Sequence, residues 1–350
     1  MSAALRISVL DQSPIAEGSP AADALHNTLD LARLADARGF HRYWVAEHHG
    51  GPMLAGPSPE VLIGPIAQST RHIRVGSGGV MLPHYSPLKV AESFSLLAGL
   101  FPGRIDLALG RAAGTDPLTT FALQRDRRTA APDDFPSQLS ELLAYLEDRL
   151  PPDHPFAHLA KALPGRPHAP EPWLLGSSAQ SAIWAAELGL PYAFADFIHP
   201  GGEEIVASYR ERFVPSHRSE TPIVAVGVWA LVAETREAAE FLAASSRWAM
   251  IKLRRGELIA VPTPQDALAN IEAERRAGTI SAPRRRMLLG TPAEVRAALE
   301  DLAAGYGAAE LIVVTITHDH ARRRRSYELL AEAFELAPRE APATVEREAA

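Results

Sequence analysis

Two rhythms alternate along the chain. Short apolar runs recur, and each is followed by a longer stretch in which apolar residues return every three or four positions. The runs have the length and branched content of strands. The longer stretches have the period of amphipathic helices. LRISVLD (5–11) opens the series as a strand, and residues 21–40 follow as a helix closed by Gly39. RYWVAE (42–47) is the second strand, and Ser58–Pro59 opens the next helix. HIRVGSGGVML (72–82), a helix from Ser86 and RIDLALG (104–110) continue the pattern. Then come EPWLLG (171–176), a helix from Ala179, PYAFADF (191–197) and a helix from Gly202. PIVAVGVWALVA (222–233), a helix from Thr291, AELIVVTIT (309–317) and a last helix from about Ala321 complete it. Alternation without hairpins predicts a parallel sheet covered by helices. Eight strand candidates predict an α/β fold of the (β/α)8 TIM-barrel type rather than an open sheet.

Two segments break the rhythm. Residues 111–170, after the fourth strand, are rich in Pro and charge, and residues 246–289, after the seventh, are rich in Arg. Such long insertions in a compact domain act as lids or binding loops. One domain over residues 1–336 is expected, with residues 337–350 fraying as a tail.

Composition narrows the classes. Of 350 residues, 47% are hydrophobic, enough for a large core, and the net charge of -7 speaks against a nucleic-acid footprint. The chain has no cysteine, which excludes disulfides, thiolate metal sites and a thiol nucleophile. The first residues lack the pattern of a signal peptide, and no apolar run approaches membrane-spanning length. A cytoplasmic protein with no membrane partner is the expectation.

Barrel strands point their C-terminal ends at one face, where active sites are built. Glu47, His48 and His49 end the second strand, and neighbours on a strand point opposite ways. One histidine can face a pocket while the other is a satisfied polar residue at the strand–loop junction. Gly76, Gly78 and Gly79 mark either a bulge or a close approach of backbone to a ligand. Arg111 suits a phosphate, or else pairs with Asp116 at the surface. Ser177, Ser178 and Ser181 open a helix, as an anion site or as a plain N-cap. His318 and His320 share a face on the last strand, but no further ligands accompany them on other strand ends, so no metal site is expected. No strand is followed by GxGxxG with a later acidic residue, so no dinucleotide site is expected.

Together, WVAEHH, RVGSGGVMLP with SPLKVAE, FPGRIDLALGR, GSSAQSAIWAAELGLPYAFA and RSYELLAEAF resemble, in order, the bacterial luciferase-like flavin-dependent monooxygenases, over nearly the whole chain. The resemblance implies FMN at the barrel mouth, over a non-proline cis peptide at Gly78–Gly79. It places Arg111, Ser178 and Ser181 at the flavin phosphate, with Ser177 beside them. It makes His48 and Glu47 the catalytic residues at the reacting edge, with His49, Asp11 and Gln12 lining the substrate pocket. Gly110 stands where the luciferase α chain has a cysteine, and Ser177 where it has a glutamate. The implied reaction uses reduced FMN from a separate NAD(P)H:flavin reductase, and oxygen, to oxygenate a small organic substrate. A homodimer through barrel helices is also implied. A deazaflavin-dependent oxidoreductase and a non-catalytic flavin-binding accessory barrel are the alternatives within the same family.

Overall fold

The apolar runs pair side by side into a closed barrel. The structure, a computed structural model, describes residues 5–112, 114–124, 126–129, 133–280 and 286–339. Its strands are β1 (Arg6–Asp11), β2 (Arg42–Val45), β3 (Arg74–Met81), β4 (Ile105–Gly110), β5 (Glu171–Gly176), β6 (Tyr192–Ala195), β7 (Val224–Val232), β8 (Leu288–Gly290) and β9 (Glu310–Val314). The helices are α1 (Ala21–Ala37), α2 (Pro59–Ser69), α3 (Pro87–Leu100), α4 (Pro117–Leu123), α5 (Phe135–Glu147), α6 (Ala157–Lys161), α7 (Ala179–Glu187), α8 (Glu203–Arg212), α9 (Arg236–Arg254), α10 (Pro264–Arg276), α11 (Pro292–Tyr306) and α12 (His320–Ala333). β1 to β7 pair in chain order, all parallel, and β9 joins β7 to β1, so eight strands close the TIM barrel.

Two cores follow from the two faces of each strand. Outward residues such as Val9, Tyr43, Val75, Leu107 and Val226 pack under the helices. Inward residues such as Leu10, Trp44, Ala108, Trp173 and Ile312 fill the barrel. At the barrel's N-terminal end, strand-initial charges are buried and matched to one another. Arg42 donates to Glu310 at 3.0 Å and to Asp106 at 2.9 Å, and Arg74 donates to Asp106 at 2.9 Å. The Arg42 guanidinium also lies 4.5 Å from the centre of the Trp173 ring. This floor closes one end of the barrel and leaves the other for chemistry.

The structure refines the expected insertions. Residues 111–170 do not form one long loop, because α5 packs against α3 as an ordinary barrel helix. The second insertion begins earlier than residue 246, since α9 starts at Arg236 and α10 packs beside it. It returns through β8, a ninth strand outside the barrel, which pairs with the far end of β7. The expected tail is ordered further than residue 336: the Arg339 N–H donates to the Ala37 carbonyl at 2.9 Å. Residues 340–350 lie outside the described residues. Among the described residues, no helix is long and apolar enough to cross a membrane.

Candidate active site

The open end of the barrel holds a cavity of about 420 Å³. Gln12, Glu47, His48, Gly78, Arg111, Ser177, Ser178 and Ser181 all line it. They come from the ends of β1 to β5 and the loops that follow, so consecutive strands place them around one rim.

Three other expected pocket residues are engaged elsewhere. Asp11 does not line the cavity: its carboxylate is fully buried and receives Arg323 at 2.6 Å, the Tyr43 hydroxyl at 2.5 Å and the Ser13 N–H at 2.7 Å. Burial alone would raise this carboxyl, but Arg323 and the hydrogen bonds outweigh it and hold it below the usual range. The adjacent strand position explains the difference from Gln12, since neighbours on a strand face opposite ways. His49 likewise turns away, with Nε2 2.7 Å from Glu47 Oε1 and its ring edge-on to His84. Gly79 lies behind the lining residues. A Cβ there would come 2.7 Å from the Ala108 carbonyl oxygen, so the site has no room for a side chain. Gly79→Val would therefore disturb the sheet as well as any ligand. Gly78, its partner in a cis peptide, does line the cavity.

His48 is the polar side chain with an unmet bond here. Its Nδ1 is buried without a hydrogen-bond partner. Burial, with a smaller contribution from His49, pushes its pKa down to about 4, so the ring is neutral at neutral pH. Glu47 borders the cavity, but its oxygens are already taken: Oε2 accepts the Met81 N–H at 2.9 Å and Oε1 meets His49.

A pH effect follows. Below the ordinary histidine value of about 6.5 the unfolded chain takes up a proton that folded His48 resists down to about 4. Stability should therefore rise with pH across that window and level off above it. Melting temperatures of wild type and His48→Gln, measured from pH 4 to 8, check this: the variant's curve should be the flatter. Parallel curves would exclude His48 as the cause.

Arg111 is half exposed and pairs with Asp133 at 2.7 Å, not with Asp116, which instead caps α4. Its guanidinium also lies 5.7 Å from the ring centre of Trp184, a residue of α7. That contact brings the cation against the helix whose N-terminus carries Ser178. Ser178 is an N-cap in a capping box with Ser181, whose hydroxyl also meets Tyr192 at 2.9 Å. A cation and a helix N-terminus thus share one side of the cavity, an arrangement that favours an anion.

His318 and His320 do not converge. The first lies 3.2 Å from the Glu17 carbonyl, the second 2.9 Å from Asp30. The sequence pattern missed the apolar walls: Trp44, Met81, Trp184, Phe197 and Ile198 also line the cavity. Strand alternation could have flagged Trp44, which shares a face with Arg42 and Ala46.

The chain belongs to the luciferase-like monooxygenase family, whose sequence profile matches residues 5–315. It is 47% identical over 333 residues to the Bacillus subtilis protein YwcH, covering 94% of this chain and 98% of that one. It is 39% identical to the N-acetyl-S-alkylcysteine monooxygenase of the same organism, over 96% of this chain and 100% of that one. The crystal structure of apo-MsnO8 superimposes with a TM-score of 0.86 at 40% identity, covering 97% of this chain and all of that one.

Proposed function

We propose that the protein is an FMN-dependent monooxygenase that receives reduced FMN from a separate reductase and transfers one oxygen atom to a small organic substrate. The observation that carries it is the shared cavity: His48 lies on the β2 side, and Arg111 with the α7 N-terminus lies on the β4–β5 side. The residues fit the group. Gly78 offers bare backbone to a flat ring, and the exposed Arg111–Asp133 pair costs only about 0–1 kcal/mol to break in favour of a phosphate. When bound, reduced FMN supplies two electrons to oxygen, so that one atom enters the substrate and the other leaves as water. The protein's own part is to hold the phosphate through Arg111, Ser178 and the helix amides. Met81, Trp184, Phe197 and Ile198 exclude water. His48, neutral, stands at the cavity wall as the acid–base group. Glu47 fixes the end of β2 behind it.

The relative named for N-acetyl-S-alkylcysteines makes thioethers the first substrates to try. Val61, Leu96 and Leu100, exposed on α2 and α3, support a homodimer through barrel helices. The protein is taken to be cytoplasmic, where a flavin reductase can supply it.

Arg111→Ala should weaken FMN binding by about 1.5–3 kcal/mol, the scale of a charge-assisted hydrogen bond. Riboflavin, which lacks the phosphate, should bind both forms alike. Titrations followed by flavin fluorescence measure both. Equal loss for both ligands would make Arg111 structural, and tight binding of a deazaflavin in place of FMN would move the protein to the hydride-transfer branch. Turnover of NADH with FMN and oxygen should appear only when a reductase is added.

A further inference from the structure

Glu47 is fully buried, and among the described residues its only ion-pair partner is a histidine, His49. Buried carboxylates are ordinarily matched by a cation or coordinate a metal. No lysine or arginine answers this one. The neighbourhood is negative instead: Glu60 on α2, half-buried, is close enough to Glu47 and His49 for their charges to act on it. A second imidazole, His84, comes from the turn after β3 and meets the His49 ring at 5.6 Å, 85° between planes. One ligand atom from each of Glu47, His49 and His84 lies within 4.8 Å of the other two.

We propose that Glu47, His49 and His84 bind one divalent transition-metal ion of the zinc, cobalt or iron(II) class, beside the flavin cavity and behind His48. Two imidazoles and one carboxylate suit such borderline ions and leave coordination positions for water. The supporting bonds are in place. Glu47 Oε2 accepts the Met81 N–H, the Tyr85 hydroxyl also bonds to the Glu47 carboxylate, and the His49 carbonyl accepts the Thr115 hydroxyl at 2.9 Å. Such outer contacts orient ligands. With metal–ligand distances of about 2.0–2.2 Å, ligand atoms would stand roughly 3.3–3.5 Å apart. The Glu47–His49 pair, now 2.7 Å apart, would open slightly, and His84 would close in. The site is distinct from the His318 and His320 pair, which bonds to other elements. Since its ligands flank His48 in sequence and span β2 and β3, the ion would fix the rim on which His48 stands.

The test uses the metal-free full-length chain, without flavin, titrated with Co²⁺ and followed by visible absorption, then competed with Zn²⁺. The expected result is saturable uptake of one ion per chain. Loss of one ligand should cost more than the roughly 10–100-fold that loss of an outer contact costs. His84→Ala, His49→Ala and Glu47→Gln should each show that loss, and His318→Ala should not. His84 is half-buried in a short turn, so its variant keeps the test valid if the Glu47 variant unfolds; circular dichroism reports folding in each case. Absence of saturable uptake by the wild type overturns the proposal. So does uptake that His84→Ala leaves unchanged. Because no flavin is present, either failure leaves the FMN assignment untouched.

Discussion

His48→Ala is expected to lower the oxygenation rate by about a hundred- to ten-thousand-fold, the range for a positioned acid–base group. Flavin binding should change far less, because Arg111 and the α7 N-terminus, proposed to hold the phosphate, lie across the cavity. Two roles combine at this ring. It borders the cavity, and its buried Nδ1 has no protein partner. The same ring is also part of the cavity wall. The diagnostic measurement divides product formation from hydrogen peroxide release, with reduced FMN supplied at saturation. The variant should shift toward peroxide, since reduced flavin then meets oxygen without delivering it to substrate. His48→Gln, which keeps most of the bulk, should recover coupling better than rate. Since burial holds the ring neutral down to about pH 4, the wild-type rate should show no inflection near 6.5. Unchanged rate and coupling in both variants would remove His48 from the chemistry.

The second large effect is on stability. Asp11→Asn should cost about 3–5 kcal/mol, because it strands the charge of Arg323, which is itself fully buried. The geometry supports the upper half of that range: Arg323 reaches Asp11 at 2.6 Å and the Thr315 carbonyl at 2.8 Å, so α12, β1 and β9 meet at one pair. Urea denaturation measures the loss. Asp11→Leu combined with Arg323→Met should recover much of it, since no lone charge then remains. The pH sign is fixed by the direction of the shift. Asp11 is held below its usual value in the fold, so its contribution is present above about pH 3.9 and is lost as pH falls through the folded value. A loss under 1 kcal/mol for the single variant would mean that water reaches Arg323.

How much of this was legible in the residues depends on what each signal can carry. Barrel strands bury both faces, so they read as apolar runs, and all eight were visible. α5 was hidden because its apolar positions, Phe135, Leu139, Leu142, Leu143 and Leu146, sit between Pro-rich and charged flanks that dominate the local composition. β8 was hidden because three residues carry no period. The rim residues could be placed because strand ends converge in a barrel wherever the sequence puts them. Facing could not: Asp11 and Gln12 are neighbours, and only the register of β1 decides which one sees the cavity. Arg42, Asp106 and Glu310 look like exposed strand starts in the sequence. Their burial depends on pairing across strands far apart in the chain, which no local pattern reports. His84 escaped notice for the same reason.

The pairing of β8 with β7 bears on how such a protein can diversify. Residues 233–287 run from the end of β7 to the start of β8, which lies outside the barrel, and Val232 and Gly290 are paired across one ladder. The two ends of this excursion, Val232 and Leu288, therefore lie on neighbouring strands two residues out of register, about 8 Å apart. A segment whose ends lie on neighbouring strands can be lengthened, shortened or exchanged without moving the barrel that carries it. A backbone tie constrains it, beside the side-chain bonds of Glu234 to Arg325 and Arg236 to Glu294: Val261 pairs with Ala16, exchanging hydrogen bonds of 2.8 Å with Ile15 and Glu17, and so latches the excursion onto the loop after β1. The excursion is a cassette held by a few clasps. Grafting that cassette between relatives, with its clasp residues, would transplant whatever it contributes at the mouth while leaving the eight-stranded frame and its floor of matched charges intact.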